Sequence, residues 1–65
     1  MFLYVIGEKD GHRQWLSLGS NEEEALLNHA ARRHGESNAY DRADDYLVHT
    51  GLGTEEEAMK ILIMR

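Results

Sequence analysis

The chain has 65 residues, twelve acids against seven bases, a net charge of −5 and no cysteine. A chain this short is one domain, residues 1–65, burying only about 60% of the surface its unfolded form exposes. Without thiols it has neither a disulfide framework nor a thiolate metal site, and its acid excess disfavours direct contact with a phosphate backbone.

Phe2-Leu3-Tyr4-Val5-Ile6 opens the chain as an unbroken apolar run rich in aromatic and β-branched residues, which predicts a central strand. It is shorter than a membrane span and lacks the basic start of a secretory leader, so a soluble cytoplasmic protein that does not bind membranes is expected. Asp10-Gly11 is a type I′ turn signal, and a second strand follows at about Arg13 to Leu18. With those two as the turn, Lys9 pairs with His12, Glu8 with Arg13, Ile6 with Trp15, Val5 with Leu16, Tyr4 with Ser17 and Leu3 with Leu18. Leu3, Val5, Leu16 and Leu18 then form one face, the expected core. Phe2, Tyr4, Ile6 and Trp15 form the other, either a second core layer or an aromatic patch left for a partner.

Gly19 to Gly35 reads as a complete amphipathic helix. Ser20 and Asn21 are candidate N-caps with Glu23 and Glu24 in capping-box positions, Arg32, Arg33 and His34 fill the last turn, and Gly35 supplies the C′ residue. Its stripe is Leu26, Leu27, Ala30, Ala31 and His34, matched to the aliphatic face of the hairpin. Glu36 to Asp45 is a polar connection with room for one helical turn and Tyr40 as its anchor. Tyr46 to His49 is a third short strand, and Thr50-Gly51-Leu52-Gly53 is the turn that ends it. Thr54 caps a second helix with Glu57 in the capping-box position. Ala58, Ile61, Leu62 and Arg65 form its stripe, widened by Met59, Ile63 and Met64. The order β-β-α-β-α predicts an α+β fold: a small three-stranded antiparallel sheet, first strand central, with two helices packed on one face.

Leu18-Gly19-Ser20-Asn21-Glu22-Glu23-Glu24-Ala25 is echoed by Leu52-Gly53-Thr54-Glu55-Glu56-Glu57-Ala58. A polar cap followed by acids is how a helix starts well, so the echo needs no common origin. Catalytic groups do not converge. Ser17 has no His–Asp pair spaced to activate it, and His12, His29, His34 and His49 lack the i, i+4 pairing that would aim two imidazoles at one metal. Asp41, Asp44 and Asp45 lack the alternation and closing Glu of a calcium loop. Gly51-Leu52-Gly53 precedes acids just where a phosphate would sit. No catalytic residue, metal or cofactor is expected, and the chain reads as a non-enzyme.

Residues 2–34, from Phe2-Leu3-Tyr4-Val5-Ile6-Gly7 through Leu16-Ser17-Leu18-Gly19-Ser20 and the helix beyond, resemble the opening of GIY-YIG nuclease-like domains. That resemblance implies a tyrosine in the second strand and an arginine early in the helix. Trp15-Leu16-Ser17 and Glu22-Glu23-Glu24 stand there instead, and nuclease activity is not carried over. The whole chain resembles phage-encoded anti-CRISPR proteins in kind: short, acidic, cysteine-free and α/β in layout. This implies an inhibitor that docks on a CRISPR effector and blocks target DNA, with the bacterial cytoplasm as its setting.

The expectation is therefore an acidic interaction module whose Glu22, Glu23, Glu24, Glu36, Asp41, Asp44, Asp45, Glu55, Glu56 and Glu57 meet a basic nucleic-acid-binding surface by charge mimicry, with no direct nucleic-acid contact. Serving the helix dipole is the other role open to the Glu runs. Phe2, Tyr4, Ile6 and Trp15 are the second-choice interface. The competing class, monomer against homodimer, is a self-associating structural or regulatory protein paired through that aromatic face.

Overall fold

A computed structural model of the chain describes the backbone of residues 1–63 and the side chains of residues 1–60. Strand β1 (Phe2–Glu8) is the centre of a three-stranded antiparallel sheet of order β2-β1-β3, with β2 at Gln14–Gly19 and β3 at Tyr46–Thr54. Helix α1 covers Glu22–His34, a single 3-10 turn Glu36–Asn38 leads into α2 at Ala39–Ala43, and α3 covers Glu55–Ile63. The α+β class and the central first strand are those expected. The connection after α1 is more helical than its composition implied. Of the expected stripe on the last helix, Ala58 is buried and Met59 is exposed, while the Ile61, Leu62 and Ile63 side chains, Met64 and Arg65 lie outside the described residues.

The β1–β2 register is the expected one, with Leu3 opposite Leu18, Tyr4 opposite Ser17, Val5 opposite Leu16 and Ile6 opposite Trp15. Arg13 Nε donates to Glu8 Oε1 at 2.9 Å, closing the hairpin as an ion pair. The turn differs. A type I′ turn needs positive φ at both central residues, and among the described residues only Gly35 and Gly53 have it. Lys9 does not face His12 in the ladder; its N–H donates to the Asp45 carbonyl at 3.0 Å, so the loop opens toward β3.

Strand β3 does not stop at His49 but continues through Thr50-Gly51-Leu52-Gly53 to Thr54. The free edge of β1 offers backbone partners along its whole length, and two register shifts absorb the extra residues.

Helix α1 lies on the aromatic face, not on the aliphatic one expected. Ile6, Ala25 and Tyr46 form the buried cluster, with Tyr4, Trp15, Leu26 and Val48 packed against it. Ser17 Oγ, buried, donates to the Ala25 carbonyl at 2.7 Å and accepts from Arg32 at 2.9 Å. Both sheet faces are apolar, so hydropathy cannot choose between them; shape does. Ser17 between Tyr4 and Trp15 leaves a hollow that the small Ala25 fills, and Gly19 lets the helix backbone descend, because a Cβ there would stand 2.5 Å from the Ala25 nitrogen. The buried line on α1 is consequently Ala25, His29 and Ala30, with Leu26, Leu27, Ala31 and His34 half-buried, a rotation away from the expected stripe.

The second-choice interface is corrected by the same packing. Ile6 is 0% exposed and Tyr4 and Trp15 are half-buried, leaving Phe2 at the margin as the one largely exposed member of the four. On the opposite face Leu3 is buried, Val5 and Leu18 are half-buried, and Leu16 is 47% exposed. Ile6→Ala should therefore cost about 2–5 kcal/mol, as a large-to-small change in a closed core, and Leu16→Ala under about 1 kcal/mol. Urea midpoints of the two variants check this; comparable losses would return the core to the aliphatic face.

Candidate acidic binding surface

Strand pairing sets the two strand ends that lead into the acidic helix starts on either side of the start of the central strand. Gly19 and Thr54, the last residues of β2 and β3, both stand opposite Phe2, one on each side, and the Glu55 N–H donates to the Met1 carbonyl at 3.1 Å. The two echoed segments are therefore equivalent strand-to-helix junctions flanking the start of the central strand.

The third glutamate of each junction turns back toward the end of its own strand. Asn21 caps α1 by accepting from the Glu24 N–H at 2.8 Å, and the Glu24 carboxylate turns back to accept from Ser20 N–H at 3.1 Å and Ser20 Oγ at 2.8 Å. Those bonds hold its pKa below the usual value. At α3, Thr54 Oγ1 accepts from the Glu57 N–H at 3.3 Å, and the Glu57 carboxylate folds over Gly53, whose φ of 90° suits glycine. Glu22, Glu23, Glu55 and Glu56 remain exposed, with no ion pair among the described residues.

The other expected site residues are distributed elsewhere. Asp45 lies at the opposite end of the sheet, where Glu8 faces Tyr46, and pairs with Arg42 at 3.2 Å. Glu36 borders a hollow with Met1, Leu18 and Arg32. Glu23 and Asp44, far apart in sequence, both line an open groove of about 270 Å³ beside α1 and α2, together with Leu26, Leu27 and Ala43. Tyr40, the expected anchor, stands in the wall of that groove and is 79% exposed; the buried Ala39 takes the anchoring position instead. A large aromatic residue inside the polar run Glu36 to Asp45 was the signal for it, and an amphipathic side chain of that kind serves a surface as readily as a core.

A second cavity, about 330 Å³, gathers Arg13, Arg33 and Arg42 against Glu8, Asp10 and Asp45. The charges balance, and two of the guanidiniums are already paired. Arg33 lies over the Trp15 ring at 4.9 Å, so its role is to cover the aromatic core. Beneath it Trp15, His29 and Tyr46 stack with centroids 4.6 to 5.6 Å apart, and His34 Nε2 meets the Tyr46 hydroxyl at 2.7 Å.

Ser17, the strand hydroxyl considered for catalysis, has both its donor and an acceptor position taken by structural bonds. Among the described residues, no three His, Asp or Glu side chains converge in a metal-holding group, and no helix is long and apolar enough to cross a membrane. Fold and surface together define a small α+β domain with an acidic end. No protein-family model, curated protein or solved structure matches the chain.

His29 is 3% exposed and its Nε2 has no hydrogen-bond partner among the described residues. Burial lowers its pKa below the ordinary 6.5, with Arg32, Arg33 and His34 adding to the effect. A folded pKa below the unfolded one means that the unfolded chain binds more protons between the two values. This contribution to stability is therefore complete above pH 6.5 and is lost as pH falls below 6.5 toward the depressed value. Denaturant midpoints measured across that interval should fall for the natural chain and stay nearly level for His29→Leu; parallel profiles would remove His29 as the cause.

Proposed function

We propose that this chain is a non-catalytic acidic binding module that docks on the basic, nucleic-acid-binding surface of a larger protein and keeps nucleic acid off it. The observation that carries the reading is that the strands leading into both helix starts end on either side of Phe2, with Glu22, Glu55 and Glu56 exposed and free of ion pairs among the described residues. Asn21 and Thr54 supply the side-chain cap at each junction, so the helix starts do not need every acid that follows them. Surface acids without a partner fit a protein that meets Lys- and Arg-lined grooves. Given the resemblance in size, charge and layout to phage anti-CRISPR proteins, a CRISPR effector is the first partner to assay. The homodimer through the aromatic face loses its support, because α1 occupies that face.

The test is displacement of labelled target DNA from CRISPR effector complexes by the purified chain at low and high salt. Displacement should weaken steeply as salt rises, and a Glu22→Lys, Glu55→Lys, Glu56→Lys variant should lose at least about tenfold in potency while keeping its circular dichroism. Full potency in the folded variant, or displacement indifferent to salt, refutes the acidic docking surface.

A further inference from the structure

The groove between α1 and α2 has the composition of a recognition site for one side chain. It is lined by the apolar Leu26, Leu27 and Ala43, by Tyr40 and Tyr46, and by the carboxylates of Glu23 and Asp44. Tyr40 is the most exposed large apolar side chain of the described residues, at 79%. An aromatic ring left in water beside an apolar floor is an energetic liability for a chain folding alone and an asset at an interface, where tyrosine is enriched among the residues that carry binding energy. At about 270 Å³ the groove lies below the roughly 300–1,000 Å³ typical of small-molecule sites, which suits a single protruding side chain better than a free ligand.

We propose that this groove receives an arginine side chain of the basic partner protein. The inference rests on the acidic-module reading and names what that partner inserts. Charge and shape argue for arginine. The two carboxylates border a partly apolar trough, so an occupant that is apolar along its stem and cationic at its tip suits it, as arginine and lysine are. A guanidinium is planar: it stacks on the Tyr40 ring and still presents its fork to a carboxylate, which a compact ammonium cannot do at once. Lys9 also borders the groove, and its positive charge restricts occupancy to one cation rather than a run of them. Neither Glu23 nor Asp44 is engaged in an ion pair among the described residues, and Arg42, the nearest cation of α2, is committed to Asp45.

The experiment is an NMR titration of the isotope-labelled full chain with a blocked arginine-containing peptide and with its lysine and citrulline counterparts. Amide shifts are expected to concentrate at Leu26, Leu27, Tyr40, Ala43 and Asp44, with the arginine peptide binding at least about threefold more tightly than the other two. Tyr40→Ala and Asp44→Asn, both at exposed positions, should each weaken binding by a similar factor without disturbing the remaining spectrum. Equal binding of the lysine peptide, shifts centred on Glu55 and Glu56, or unaltered binding in both variants would overturn the proposal. The two readings fail separately. If charge reversal at Glu22, Glu55 and Glu56 abolishes DNA displacement while Tyr40→Ala and Asp44→Asn leave it intact, the groove is discarded and the acidic module stands. If none of these variants changes displacement, both readings fall.

Discussion

The contact on which the molecule depends is the close approach of α1 to β2 at Ser17, Gly19 and Ala25. The Ser17 hydroxyl reaches the Ala25 carbonyl at 2.7 Å, which is possible only because Gly19 has no side chain and Ala25 has almost none. A buried hydroxyl without a partner is expensive, so this bond fixes both the height of the helix above the sheet and its rotation about its own axis. With that rotation set, His29 falls between Trp15 and Tyr46, Arg33 is carried over Trp15 and Arg32 reaches Ser17. The core of this small domain is thus built around aromatic rings capped by guanidiniums instead of being a layer of aliphatic side chains.

The same placement governs what remains on the surface. Because α1 turns Ala25 and His29 inward, Leu26 and Leu27 come to lie toward α2 and form an apolar trough. Glu23 stands one turn before Leu27 on the same flank, and α2 brings Asp44 and Tyr40 to meet it. The strand ladder independently delivers Glu22, Glu55 and Glu56 to the end of the sheet where the central strand starts. The acidic character of the chain is therefore divided into places with distinct neighbours, with the Glu24 carboxylate alone, among the described residues, closing a capping box.

Local features of the chain were legible because each is set by neighbours in sequence. The Asn21 cap, the Thr54 cap, the Glu8–Arg13 pair and the β1–β2 register follow from side-chain hydrogen bonding, charge and the alternation of a hairpin. The run through Thr50-Gly51-Leu52-Gly53 was not legible, since two glycines read as a turn until a free strand edge is present to pair with them. Tyr40 misled for a comparable reason: an aromatic residue in a polar segment announces contact without saying whether the contact is within the chain or beyond it.

The sequence by itself determined the hairpin, the first and last helices, the capping chemistry and the acid excess, all of which arise from interactions a few residues long. Only the tertiary structure decided which face of the hairpin the helix covers, because both faces are apolar and the decision rests on the fit of Ala25 over Ser17 and Gly19. Only the tertiary structure joined Glu23 to Asp44 and set the two glutamate triplets on either side of Phe2. Hydropathy and periodicity report how much surface each residue prefers to bury; which surfaces then meet is a matter of shape and of buried polar atoms finding partners, and those are properties of the assembled chain.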